Sequence, residues 1–282
     1  VYLGSLEVHL VSDGVVWVDS GGLFGLVPRA LWGKTLQPDE KNRLPMALTC
    51  LLLRSGGKTI VVDTGLGEKL TEKQKENWGL LRPEGSLLEG LARLGCAPED
   101  VDVVLNTHLH WDHCGGNTVG GQAQPVPTFP RAEYLTQRLE FADATTPNER
   151  TRATYLADNF VPLLQDGRMR LLHGDTRITD EVRAVVTRGH TRAHMSVLLE
   201  SAGLHGMYVA DLATYAMHFE KLGWMTAYDV EPLETLETKR RWQQWALERD
   251  ALLIFEHDTF VPMGRLKDEG GRMKVERVIR DA

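Results

Sequence analysis

Cysteine is scarce in this chain: Cys50, Cys96 and Cys114 are the only three among 282 residues. They are too few and too widely spread for a disulfide framework, which points to a reducing, cytoplasmic setting. Long apolar runs are missing as well. No stretch approaches the ~18 residues that a membrane-spanning helix needs. Residues 1–18 alternate polar and apolar positions and lack the basic-then-apolar order of an export signal. There is no extended basic block, and the formal net charge is -7. Nucleic acid needs a positive footprint on its phosphates. Nucleic acid and membrane are therefore set aside as partners, and the negative charge reads as a solvated surface. Neither a fixed-period repeat nor a linker divides the chain. Residues 1–282 are expected to form one domain, long enough to bury its core without staples.

What is present is a succession of short strand patterns. Residues 6–10 and 15–18 flank Ser12-Asp13-Gly14, and 49–53 and 59–63 flank Ser55-Gly56-Gly57; both read as hairpins. Between them, residues 21–43 carry Phe24, Pro28 and Trp32 without clean periodicity, as a loop that covers something does. Residues 86–94 read as a helix, with Ser86 as cap, Glu89 three residues on and Gly95 at its end. A buried strand is expected at 101–106. A helix capped by Asn148 is expected to run to about residue 164. Strands follow at 169–172, 182–187, 196–200 and 207–210. A helix over 235–249 buries Leu236, Trp242, Trp245 and Ala246 and leaves Lys239, Arg240 and Glu248 to solvent. The chain ends with a strand at 252–255 and an edge strand at 274–279. Hairpins followed by a strand ending in polar residues occur in each half, which suggests two facing β-layers.

The strand at 101–106 delivers His108-Leu109-His110-Trp111-Asp112-His113, four metal-ligand side chains within six residues. Imidazole with carboxylate suits zinc and similar divalent ions better than magnesium or calcium. A single catalytic zinc takes three protein ligands and keeps one position open, so four donors hint at two metals in one pocket. His190, Asp211 and His257 each lie just past a short apolar run, where α/β folds place ligands. His9, His173 and His205 read as ordinary surface or packing residues. Asp63, Thr107 and His194 are candidates to orient the ligands, because metal-bound imidazoles usually donate their other N–H to a carboxylate, carbonyl or water. Phe24, Leu26, Val27, Trp32 and Trp224 are candidates for an apolar acyl pocket. Cys114 reads as a small buried residue.

The ordered motifs T-H-L-H-W-D-H, G-H-T, A-D and E-H, preceded by Asp63-Thr64-Gly65, resemble the metallo-β-lactamase superfamily of hydrolases over nearly the whole chain. That resemblance implies an α/β fold, an αβ/βα sandwich of two facing mixed sheets with helices on the outer faces. It implies two divalent metal ions, zinc first, with iron, manganese or cobalt as alternatives. His108, His110 and His190 would bind one ion, Asp112, His113 and His257 the other, with Asp211 bridging. Residues 24–32, 69–75 and 210–229 further resemble YtnP-type quorum-quenching lactonases, and the last stretch is also similar to methyl parathion hydrolases. The implied substrate is small, largely apolar and ester-like, with a lactone of N-acyl homoserine type in the lead. A phosphotriesterase or arylesterase, and a metalloprotein that binds a small molecule without turnover, stand as alternatives. A homodimer through 21–43 or 69–75 is compatible with the sequence.

Two cations close together lower the pKa of a shared water from about 15.7 toward 7. A bridging hydroxide would then attack the lactone carbonyl, with Asp211 or Asp112 handling protons. Lactonases of this superfamily carry a Tyr three residues after the bridging Asp, where this chain has Thr214. Tyr215, Tyr228 and His218 are the candidates to contact the substrate carbonyl instead.

Overall fold

In the computed structural model the described residues are 2–120 and 124–278. Among them the strands form two seven-stranded sheets and a small two-stranded ladder. The first sheet runs in the order Tyr2–Leu3, Leu6–Asp19, Arg43–Ser55, Lys58–Val62, Val103–Leu105, Glu133–Gln137, Met169–Leu172. The second runs Thr176–Arg177, Val182–Val186, Met195–Ser201, Leu204–Tyr208, Leu252–Ile254, Met263–Asp268, Met273–Arg277. Both are mixed: Lys58–Val62 pairs parallel with Val103–Leu105, and Leu204–Tyr208 parallel with Leu252–Ile254.

The inner faces meet in one apolar layer. Leu51, Leu53, Ile60, Val62, Val103 and Leu105 from the first sheet pack with Val197, Leu199, Tyr208 and Ile254 from the second. Each such aliphatic side chain contributes about 1.5–3 kcal/mol on burial, so this layer holds the two halves in register. The outer face of the first sheet is covered by the helix Leu87–Arg93 and by residues around Phe141 and Phe160. The outer face of the second is covered by the helix Pro232–Glu248. This is the expected αβ/βα sandwich. No helix among the described residues is long and apolar enough to cross a membrane. Cys50, Cys96 and Cys114 are all buried and free.

Several local expectations hold. Ser86 and Glu89 form a reciprocal capping box at the helix Leu87–Arg93, and Gly95 follows with φ +66°. The two-residue turn Gly56-Gly57 has φ of +58° and +74°, the left-handed geometry that a tight hairpin requires. The edge strand appears as Met273–Arg277; Ile279, assigned to it above, lies outside the described residues.

Three expectations are corrected. Ser12-Asp13-Gly14 is not a hairpin turn. Leu6–Asp19 is one strand pairing along Arg43–Ser55, with a register shift between Ser12 and Val15. The turn-forming residues make a bulge that points Asp13 inward. The helix expected over 148–164 is absent. The Asn148 side chain caps only a turn, accepting from the amides of Arg150 and Thr151. The carbonyl of Thr154 is drawn off to the Trp111 amide, and only a 3-10 turn at Ala157–Asn159 and a short α-helix at Val161–Gln165 follow. An unexpected helix lies earlier, at Arg138–Thr145.

The third correction is Lys239, which is buried, not solvated. Helical spacing explains it: Thr235, Lys239, Trp242, Gln243 and Ala246 share the buried stripe of Pro232–Glu248. The Lys239 ammonium donates to the carbonyls of His218, Lys221 and Trp224. A Lys239→Met variant keeps the aliphatic stem and strands those carbonyls. Buried unsatisfied polar groups cost about 1–3 kcal/mol each, so its urea midpoint is expected to fall by the equivalent of ~3 kcal/mol.

Candidate metal centre

The chain directs its polar residues to one rim of the sandwich. Strand Lys58–Val62 leads into Asp63, Val103–Leu105 into His108, Val182–Val186 into His190, Leu204–Tyr208 into Asp211 and Leu252–Ile254 into His257. Asp63 and Ala210 turn sharply there, with φ of 53° and 49°. Non-glycine residues in that region cost about 1–3 kcal/mol each, and both positions sit beside the donors they present.

Three donor groups result among the described residues: one, Asp63, His113 and Glu256, gathers behind His113 at its Nδ1, and two face Asp211. Ligand atoms of His108, His110, His190 and Asp211 lie within 4.8 Å of one another, and so do those of Asp112, His113 and His257. Asp211 stands between these two groups. Its Oδ2 is 3.0 Å from His190 Nε2 and 3.4 Å from His113 Nε2, and its Oδ1 is 3.0 Å from His257 Nε2. All seven side chains are buried.

The remaining nitrogens of four of the five histidines are held from behind. His113 Nδ1 faces Asp63 Oδ2 at 3.1 Å, and Asp63 in turn accepts from the amide and hydroxyl of Thr107. His190 Nδ1 meets Asp229 at 3.0 Å, His257 Nδ1 donates to the carbonyl of Ala47 at 2.7 Å, and His108 Nδ1 lies 3.1 Å from Thr107 Oγ1. His194 accepts the Asp211 amide on Nε2, so its proton sits on Nδ1, toward Thr187. This outer shell fixes tautomers and aims the inner nitrogens.

The residues fit divalent cations. His190 Nε2 lies 3.1 Å from His110 Nδ1, and His257 Nε2 lies 3.2 Å from His113 Nε2, so imidazole nitrogens point at one another in pairs. His108 Nε2 is buried with no hydrogen-bond partner, although buried polar groups normally have one. Converging lone pairs and an orphaned nitrogen are what a cation satisfies. Burial and the surrounding imidazoles hold His108 and His110 well below the usual histidine range, which keeps them neutral, as ligation requires. Burial opposes charge on Asp211, yet His257, His190 and His113 keep its carboxyl well below the ordinary carboxylate value. Against its own burial, His190 is raised to about 10 by Asp211 and Asp229. Cation loading must displace that proton, so binding strengthens as pH rises.

A cavity of about 100 Å³ opens over the donors. Val18, Leu23, Met46 and Trp111 supply its apolar lining; His110, Asp112, His190, Asp211, Thr214 and Tyr228 supply its polar side. None of Phe24, Leu26, Val27, Trp32 and Trp224 lines this cavity. Phe24 and Trp32 stack on each other at 4.7 Å in a core cluster beneath the loop, and Leu26 is fully exposed. Of the three candidates for the substrate contact, Tyr228 alone reaches the cavity. Tyr215 is buried and donates its hydroxyl to the carbonyl of Pro45. His218 is buried against Tyr215 and Phe24, and its Nδ1 accepts the Tyr215 amide. Tyr228 lies so close over Gly22 that a Cβ there would sit 2.0 Å from its hydroxyl oxygen, so a side chain at 22 would push that hydroxyl aside.

Residues 45–264 match the Metallo-beta-lactamase superfamily. The chain belongs to that superfamily. It is a metal-dependent hydrolase. Among relatives in this superfamily, an N-acyl homoserine lactonase of a Bacillus species is 28% identical over 240 residues, 79% of this chain and 85% of that protein. The N-acyl homoserine lactonase of Bacillus cereus is 26% identical over 243 residues, 83% and 89%. A "probable metal-dependent hydrolase" from Staphylococcus aureus superposes with a TM-score of 0.89 at 26% identity, covering 100% of this chain and 99% of that one. AidC, a dizinc quorum-quenching lactonase in complex with the product N-hexanoyl-L-homoserine, shares the fold at 18% identity, TM-score 0.82, covering 100% and 97%.

Sequence reasoning missed Glu140, Asp229 and Glu256. Glu256 is buried beside His113, with Oε2 3.1 Å from His113 Nδ1; burial pushes its carboxyl up to about 7. Its position next to His257 was the available signal. Asp229 and Glu140 gave none, because each reaches the site across at least 31 residues.

Proposed function

We propose that this hydrolase opens lactone rings of the N-acyl homoserine type at a pair of divalent cations, zinc first. The observation that carries the reading is the sharing of Asp211 between two three-residue donor groups on the floor of a small, partly apolar cavity. The lactonase names of the relatives support the substrate class. His108, His110 and His190 would hold one cation, Asp112, His113 and His257 the other, with Asp211 between. Such a pair, when bound, supplies Lewis acidity and lowers the pKa of water from 15.7 to about 7.

The chain's own groups do the rest. Val18, Leu23 and Met46 exclude water from one side of the substrate. The Tyr228 hydroxyl, its pKa raised by burial and by Asp112, Asp19 and Asp211, stays protonated and donates to the substrate carbonyl. Thr214 lines the same cavity beside Tyr228. Asp211 can take up the proton released on attack, and as the ring C–O bond breaks that same proton passes to the leaving alkoxide, directly or relayed through Asp112, which lines the same cavity.

The test is acid release from N-hexanoyl homoserine lactone and a plain γ-lactone in weak buffer, with and without chelator, alongside an aryl phosphotriester. Turnover of the lactones that chelator abolishes supports the reading. Binding without turnover supports a sensor, and turnover of the phosphotriester alone supports the alternative hydrolase. A second comparison isolates the tyrosines. Tyr228→Phe is expected to lower kcat/KM by about 10–100-fold, since a hydrogen bond to a developing charge is worth ~1.5–3 kcal/mol. Tyr215→Phe is expected to leave kcat/KM unchanged and to cost ~1 kcal/mol of stability.

A further inference from the structure

Glu140 is a fully buried carboxylate on the helix Arg138–Thr145, outside all three donor groups. A carboxylate there is costly unless its lone pairs are used, and three donors use them. The Leu109 amide donates to Oε1 at 3.0 Å, the Thr191 hydroxyl to Oε2 at 2.6 Å and the Tyr155 hydroxyl to Oε1 at 3.1 Å. Each donor sits beside a ligand. Leu109 lies between His108 and His110, Thr191 follows His190, and the ring of Tyr155 packs on His110 with centroids 5.0 Å apart. His110 is also the histidine of its group for which no hydrogen bond to the far nitrogen, Nε2, is found among the described residues. Its aim therefore rests on the backbone at Leu109 and on Tyr155, both of which end at Glu140. One turn further along the same helix, Asp143 pairs with Arg192, which joins the helix to the His190 loop a second time.

We propose that Glu140 is the positioning residue of the three-histidine group. Its carboxylate joins the loop of His108 and His110 to the loop of His190 into one preorganised half-site, and so sets how tightly that half holds its cation relative to the other half. The inference rests on the two-cation reading above. The other half has separate supports, Asp63 behind His113 and the Ala47 carbonyl behind His257. Loss of Glu140 therefore acts on one ion and spares the second, whereas a residue that merely stabilised the fold would weaken both together.

The experiment titrates the 282-residue protein with Co2+ against a competing chelator and follows the visible absorption of each bound ion. Glu140→Ala is expected to weaken one of two ions by about 10–100-fold, as losses of groups behind metal ligands do, and to leave the other unchanged. Glu140→Gln retains an acceptor for Leu109 and Tyr155 and is expected to restore most of the affinity. Thr191→Val, nearly isosteric, removes one of the three bonds and is expected to weaken the same ion by about 3–10-fold, the worth of one hydrogen bond. If Glu140→Ala fails to fold, Thr191→Val decides. Two Co2+ ions held with parental affinity in the variants, or both ions weakened equally, overturn the role of Glu140 alone. A parent protein that binds fewer than two Co2+ ions overturns the two-cation reading and this inference with it.

Discussion

Asp211→Asn is expected to abolish the proposed lactone hydrolysis, lowering kcat/KM by at least ~10³-fold, while the protein stays folded. The size follows from where its charge sits. Among the described residues Asp211 is the one anion facing both donor groups, with His190, His113 and His257 all within 3.4 Å of its oxygens. An amide keeps the shape but halves the acceptor capacity and removes the charge that would offset the two proposed cations. Loss of a single preorganised electrostatic partner in an active site costs about 10²–10³-fold; Asp211 would serve both cations and the proton transfer, so the upper end is the floor here. Tenfold in rate is about 1.4 kcal/mol, which makes the expected loss ~4 kcal/mol or more of transition-state stabilisation. Metal analysis of the purified variant separates the causes. The expected result is fewer than two ions per chain with an intact thermal transition. An Asp211→Asn protein that keeps both ions and parental turnover would remove Asp211 from the chemistry and leave the shared-carboxylate reading without its centre.

The centre of this site was legible in the sequence because its chemistry is concentrated. His108 to His113 lie in consecutive positions, and His190, Asp211 and His257 follow strands whose apolar runs are visible. What was not legible depends on contacts that sequence spacing does not encode. Glu140 looks like a solvated helix residue until Thr191 and Leu109 arrive from elsewhere in the chain. Lys239 looks solvated for the same reason, although its place on the Thr235–Trp242–Ala246 stripe was a readable warning. The loop over 21–43 was expected to cover something, and it does, but it buries Phe24 and Trp32 in their own cluster and sends Leu23 to the cavity. Hydrophobic pattern says that such residues are buried; it does not say which of them face the substrate.

Fold and site meet at Asp13, the residue taken from sequence as part of a turn. Asp13 accepts the amides of Leu66 and Gly67 on Oδ2 and of Leu87 on Oδ1, and both oxygens meet Arg82 at 3.1–3.2 Å. One buried carboxylate thus joins the bulged strand Leu6–Asp19, the loop after Asp63 and the first turn of the helix Leu87–Arg93. Asp13→Ala leaves three amides and part of a guanidinium without partners. Breaking a buried pair by removing one member costs about 3–5 kcal/mol. Arg82 is partly exposed and can turn to water, which places the expected loss near ~4 kcal/mol, a large share of the ~5–15 kcal/mol that a domain has. Asp13→Asn is expected to recover part of it, because one oxygen still serves Leu66 and Gly67 while its amide group faces the Leu87 N–H, donor against donor. Equilibrium urea unfolding of the three proteins checks the order, parent above Asn above Ala. The loop that Asp13 anchors carries Asp63, which supports His113, so the Ala variant is also expected to hold its cations less tightly at temperatures where it remains folded. A midpoint for Asp13→Ala within ~1 kcal/mol of the parent would mean that the three amides find water, and that the bulge at Ser12–Val15 stands without the carboxylate it encloses.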